Sequence, residues 1–175
     1  MKINKIAITL GCILLSVFSA QNVLAKKRVE NKTMPDPAAT RIIPSEAQKW
    51  KGNYYMVYDE LMEWDEAEEW CESIGGHLVT ITTSGEQNFI NSLELNCTDY
   101  WMGATDAVEE GEWKWITGET WHYENWHEDQ PDNAEQVENY LVLVSSWDNE
   151  WNDVPIEGVS TNLGFICEWE KYDGL

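Results

Sequence analysis

Gln130, Asp132, Asn133, Glu138, Asn139, Asn152 and Asp153 all end in carbonyl or carboxylate oxygens, and they fall in two short stretches, 130–139 and 151–153. Neither stretch contains a cysteine or a histidine. Calcium gathers about six to eight oxygens, whereas zinc takes sulfur and imidazole nitrogen, so this chemistry points to a hard cation. Pro131 separates the first two candidate ligands and restricts the backbone between them. Left partly open, such a site offers coordination positions to a second ligand.

Competing chemistries fare worse. Paired carboxylates can hydrolyse glycosides as acid and base, but these oxygens serve the metal, and no pair stands in an apolar setting. His122 and His127, five apart in a loop, form a poor zinc pattern. No enzyme is expected.

The scaffold for such a site can be read from the pattern along the chain. Residues 1–25 read as a secretory signal: a basic start, an apolar run from Ile6 to Phe18, and Val23-Leu24-Ala25 before Lys26. Residues 26–49, with six basic and three acidic side chains and three prolines, read as a linker or tail. A single domain over 50–175 is expected after it. Tyr54 to Tyr58 reads as a strand. Ala67, Trp70, Cys71 and Ile74 have helical spacing over 64–74, stopped by Gly75-Gly76. A strand over 77–81 and a second helix with a Thr83/Glu86 capping box come next. Four strands are then expected near 100–103, 113–116, 140–144 and 164–169, with a long irregular stretch over 117–139. Helices first and an antiparallel sheet afterwards argue for an α+β domain.

Export permits disulfides. Without Cys12 in the signal, Cys71, Cys97 and Cys167 remain, which allows one bridge and one spare thiol. The 96-residue separation of Cys71 and Cys167 (167 − 71) suggests a staple between the domain ends. Cys97 is then buried and inert or links two chains into a homo-oligomer. From Trp50 onward three lysines face 29 acidic residues, a net of −26. Such a surface repels nucleic acid and anionic membranes and concentrates divalent cations. Membrane insertion is not expected.

These residues resemble the C-type lectin domain. The first half is carried by Trp64, Ala67, Cys71, Gly75-Gly76-His77-Leu78-Val79-Thr80-Ile81 and Glu86-Gln87. The second is carried by Trp101-Met102-Gly103, Asn125-Trp126, Gln130-Pro131-Asp132, Trp151-Asn152-Asp153 and Phe165-Ile166-Cys167-Glu168. The resemblance implies a cis Gln130-Pro131 bond and a calcium ion held by Gln130, Asp132, Glu138, Asn152 and Asp153. The same five residues would bind carbohydrate, as two vicinal sugar hydroxyls complete the coordination. An auxiliary calcium would fall to Asp106, Glu110, Asn133 and Asn139. The Gln-Pro-Asp order resembles the galactose-preferring type, yet the tryptophan and glycine-rich loop usual after that motif are missing. Trp126 and Trp147 are the candidates to replace them. A second family disulfide is also absent, so the loops lean on the metal for order. The alternative implied by the fold is a domain that binds a protein or ice surface, with calcium only ordering loops.

Overall fold

The computed structural model describes residues 41–156 and 163–171. The expected signal peptide, Cys12 and the first part of the expected tail lie outside the described residues.

The chain enters the domain earlier than expected. Ile42 donates its N–H to the Ile74 carbonyl at 3.0 Å, and β1 (Gln48–Trp50) pairs with β2 (Asn53–Met62). A tight turn through Lys51 (φ 46°) and Gly52 (φ 113°) joins them, so Gln48 and Lys49 belong to the sheet. Helix α1 (Trp64–Ser73) buries Trp64, Ala67 and Cys71. Its end fits the expectation. Gly75 adopts φ 76°, its N–H reaches the Glu72 carbonyl, and the Gly76 N–H reaches that of Cys71, a Schellman cap. Beyond β3 (His77–Leu78), α2 (Ser84–Ile90) starts at Thr83, whose hydroxyl accepts the Glu86 N–H at 3.2 Å. The second half of the capping box does not form. Glu86 turns inward, accepting from the Thr82 N–H and the Tyr55 hydroxyl.

The remaining strands are β4 (Asp99–Thr105), β5 (Lys114–Trp115), β6 (Tyr140–Val144), β7 (Glu150–Val154) and β8 (Leu163–Trp169). They complete one sheet ordered β1-β2-β8-β4-β6-β7, with β3 on β8 and β5 on β4. All pairs are antiparallel except β4 with β8, which run parallel. The α+β class holds, with a mixed sheet where an antiparallel one was expected. Alternation along the strands sends side chains to two cores. Tyr100, Leu141, Leu143 and Trp151 join one; Trp101, Val142, Val144 and Phe165 join the other. Trp151 is fully buried and meets Trp115, Trp121, Tyr123 and Trp126 edge-on or tilted.

The expected disulfide is not formed in this structure. Cys71 and Cys167 are free, fully buried thiols. Burial first, then a hydrogen bond to Cys71, pushes the Cys167 thiol well up. The neighbourhood is as expected: α1 and β8 set the sulfurs side by side, where oxidation can join them. Cys97 is partly buried, its Sγ 3.6 Å from the Asp59 carbonyl, and burial pushes its thiol up as well.

Candidate functional site

β6 and β7 form the hairpin on which the site is built, with Leu141 opposite Asp153 and Val142 opposite Asn152. Asn152 and Asp153 therefore lie on a strand where the sequence pattern assigned no element. Trp151 buried below them fixes the strand, and a second segment runs alongside. The Trp151 N–H reaches the Asn125 carbonyl at 2.8 Å, and the His127 N–H reaches the Trp151 carbonyl at 3.0 Å. From there the chain turns through Asp129 (φ 69°) into the Gln130-Pro131 peptide, which is cis.

Asp153 organises the loop that this peptide opens. It is 1% exposed, and its two carboxylate oxygens accept the N–H groups of Asp132 (3.2 Å) and Asn133 (2.8 Å). Gln130 Oε1 also accepts the Asp132 N–H, at 3.1 Å. Asn133 has a left-handed backbone, φ 43°. Its side-chain oxygen takes the Glu138 N–H, while Glu138 Oε2 takes the Ala134 N–H at 2.8 Å. This reciprocal pair folds the short 3₁₀ turn Ala134–Gln136 back on itself. As a result Asp132, Glu138 and Asp153 each present a carboxylate oxygen within 4.8 Å of the others.

The electrostatics are those of crowded like charges. Burial first, then the charges of Asp153 and Asp132, push Glu138 up to about 6, against the Ala134 N–H, which pulls it down. Burial also raises Asp153, while the Asn133 and Asp132 N–H groups lower it. One acceptor is left over: Asn152 Oδ1 is buried and accepts no hydrogen bond among the described residues. Buried acceptors are normally satisfied. Three converging carboxylates, an all-oxygen donor set, fit a hard divalent cation.

Of the five expected principal ligands, the structure gathers Asp132, Glu138 and Asp153, ties Gln130 to the Asp132 backbone, and sets Asn152 beside Asp153 on β7. The auxiliary set is linked more loosely. Asp106 is 3% exposed, donates its N–H to the Asn139 carbonyl at 3.3 Å and accepts the Gly111 N–H on Oδ2. Its Oδ1 is unsatisfied. Asn133 spends its side-chain oxygen on Glu138, the Asn139 amide donates to the Val137 carbonyl, and Glu110 is exposed. Sequence reasoning missed the contact of His127 with Glu150, 23 residues apart and joined at 2.6 Å. The only signal available was the short acidic hairpin that carries Glu150.

Comparison with known proteins places this arrangement. The family model described as Lectin C-type domain matches residues 60–169. A perlucin-like protein of Mytilus galloprovincialis is 33% identical over 129 residues, covering 71% of this chain and 81% of that protein. Human C-type lectin domain family 4 member D is 36% identical over 115 residues, 64% of this chain and 53% of its own length. Among solved structures, the cow carbohydrate-recognition domain of CD23, crystallised in the presence of a GlcNAc2Man3 oligosaccharide, superposes with a TM-score of 0.67. That likeness has 27% identity and covers 74% of this chain and 97% of that one.

Proposed function

The chain belongs to the C-type lectin domain family, whose members are non-enzymatic binding proteins with carbohydrate as their general ligand, and from that premise we propose calcium-dependent sugar binding at Gln130, Asp132, Glu138, Asn152 and Asp153. The observation that carries the reading is the convergence of the Asp132, Glu138 and Asp153 carboxylates within 4.8 Å. When bound, calcium supplies a centre that two vicinal sugar hydroxyls can coordinate.

The chain's own residues do the rest. Asp132 and Glu138 accept hydrogen bonds from the hydroxyls, and the amide nitrogens of Gln130 and Asn152 donate to them. That division of acceptors and donors orients the sugar and favours galactose. Asp153 holds the loop through two backbone N–H groups, so its carboxylate is both ligand and scaffold. Asp106, Glu110, Asn133 and Asn139 are the proposed auxiliary calcium set, supported by the unsatisfied Asp106 Oδ1. C-type lectin domains generally work outside the cell, and no helix among the described residues is long and apolar enough to cross a membrane. The proposed setting is the oxidising exterior, where Cys71 and Cys167 bridge. A shallow chelate binds a single sugar weakly, so avidity from several copies is part of the proposal.

A glycan array probed with and without a chelator tests the reading. Binding lost on chelation and restored by calcium is expected. Binding that survives chelation would move the protein to the alternative, recognition of a protein or ice surface.

A further inference from the structure

The chelate leaves the apolar face of a sugar without a partner in its own loop, because residues 133–139 contain no tryptophan. An aromatic pair stands close by instead. His127 stacks on Trp147 with ring centroids 4.3 Å apart and planes 24° from parallel. His127 Nδ1 lies 2.6 Å from Glu150 Oε2, and the His127 and Glu150 side chains keep 37% and 41% of their surface exposed. Trp147 is partly buried against the core below.

Two connections locate this group beside the chelate. The His127 carbonyl accepts the Gln130 N–H at 3.0 Å. Glu150 precedes Asn152 by two residues on β7, and side chains two apart on a strand share a face, about 7 Å from each other. The His127–Glu150 contact thus spans from the loop that carries Gln130 to the strand that carries Asn152. These are the two amide-bearing positions of the proposed site.

The platform is also held still. The His127 N–H is bonded to the Trp151 carbonyl. Trp147 ends the 3₁₀ turn Ser145–Trp147, which is closed by left-handed Asp148 (φ 53°) and Asn149 (φ 63°). The Asn149 carbonyl accepts from the side-chain amides of Gln87 and Asn125. Rigid aromatic surface with a polar group at its edge costs little ordering on binding and suits a pyranose ring.

We propose that His127, Trp147 and Glu150 form a subsite for the sugar unit next to the chelated one, so that the protein selects oligosaccharides over single sugars. The inference rests on the chelate reading and extends it. The outer face of His127, backed by Trp147, stacks on the C–H face of the second ring, and the half-exposed Glu150 carboxylate accepts from one of its hydroxyls.

The test compares affinities of the full chain, in calcium, for two matched pairs: methyl galactoside with lactose, and methyl mannoside with mannobiose. In the pair that binds, the wild type is expected to favour the disaccharide by about tenfold. Trp147→Ala brings that ratio close to one, Trp147→Phe keeps most of it, and Glu150→Gln lowers it by roughly threefold. Circular dichroism checks folding; if Trp147→Ala is unfolded, the other two substitutions decide. Single-sugar binding with a wild-type ratio near one, or a ratio unchanged in folded variants, overturns the subsite alone. No calcium-dependent binding to any of the four sugars overturns the chelate reading and the subsite with it.

Discussion

Glu86 and Glu168 in the core can be set beside Asp132, Glu138 and Asp153 at the loops, since in both places burial and then a neighbouring acid raise a carboxyl, Glu168 in one and Glu138 and Asp153 in the other. In the core the protein supplies the donors. Glu168 accepts from the Asn53 amide at 2.8 Å and the Thr80 N–H at 3.1 Å, and Glu86 accepts from the Tyr55 hydroxyl at 2.7 Å and the Thr82 N–H at 2.9 Å. Burial first, and then the Glu86 charge, push Glu168 up to about 8, so it keeps its proton at neutral pH. At the loops, among the described residues, backbone N–H groups reach Glu138 and Asp153, Asp132 is exposed, and Asn152 Oδ1 has no donor. Burial lets Glu168 settle on a proton in spite of its donors, whereas the loop carboxylates, satisfied on a single side, remain open to a cation.

The largest effect that would break this contrast is expected from Asp153→Asn. It keeps the shape but removes a ligand charge, and calorimetry should find calcium affinity down by roughly 100-fold or more. Unchanged affinity would place the metal elsewhere. Acid should act next. Glu138, raised from 4.5 to about 6, gains its proton as pH falls through 6, and calcium must displace that proton. Calcium affinity should therefore drop about tenfold per pH unit below 6, and Glu138→Gln should bind weakly at every pH.

The core group makes the opposite prediction. Because the folded protein holds the Glu168 proton more tightly than the unfolded chain, this group's stabilising contribution is complete below 4.5 and lost as pH rises to about 8. Glu168→Gln, measured in calcium-free buffer, should raise stability at pH 8–9 by on the order of a few kcal/mol and leave pH 4.5 nearly unchanged. A thermal melt that shows no pH-dependent gain would refute a protonated Glu168. The smallest effect is expected at a helix end. Thr83→Ala removes the α2 cap and should cost about 1 kcal/mol, a lowering of roughly 2–4 °C.

How legible these regions were differs for physical reasons. The α1 cap at Gly75-Gly76 and the Thr83 cap are local rules, so short stretches of sequence declare them. The candidate chelating set could be proposed from sequence because Gln130, Pro131, Asp132, Glu138, Asn152 and Asp153 keep a family order and spacing, and the structure brings the Asp132, Glu138 and Asp153 carboxylates together. Strand β7 was not, since Glu-Trp-Asn-Asp-Val lacks apolar alternation and owes its form to pairing with β6. Glu86 looked like a surface capping acid; only the fold brings Tyr55 over it. The His127–Glu150 contact depends on a segment laid beside β7, which no local pattern encodes. Gln48 and Lys49 were assigned to the tail by composition, whereas pairing with β2 places them in the sheet.

The pairing of β2 with β8 also sets how the domain bears load. Tyr54 faces Trp169, Tyr55 faces Glu168 and Met56 faces Cys167, while the Lys171 N–H is bonded to Asn53 Oδ1 at 2.8 Å. Tension applied at Trp50 and Lys171 thus pulls on the same end of an antiparallel pair and peels it one rung at a time, the weakest geometry a sheet offers. The third rung is Cys167. With the sulfurs of Cys71 and Cys167 joined, β8 could not be drawn out past that rung, and the tension would fall instead on β2 and α1 up to Cys71.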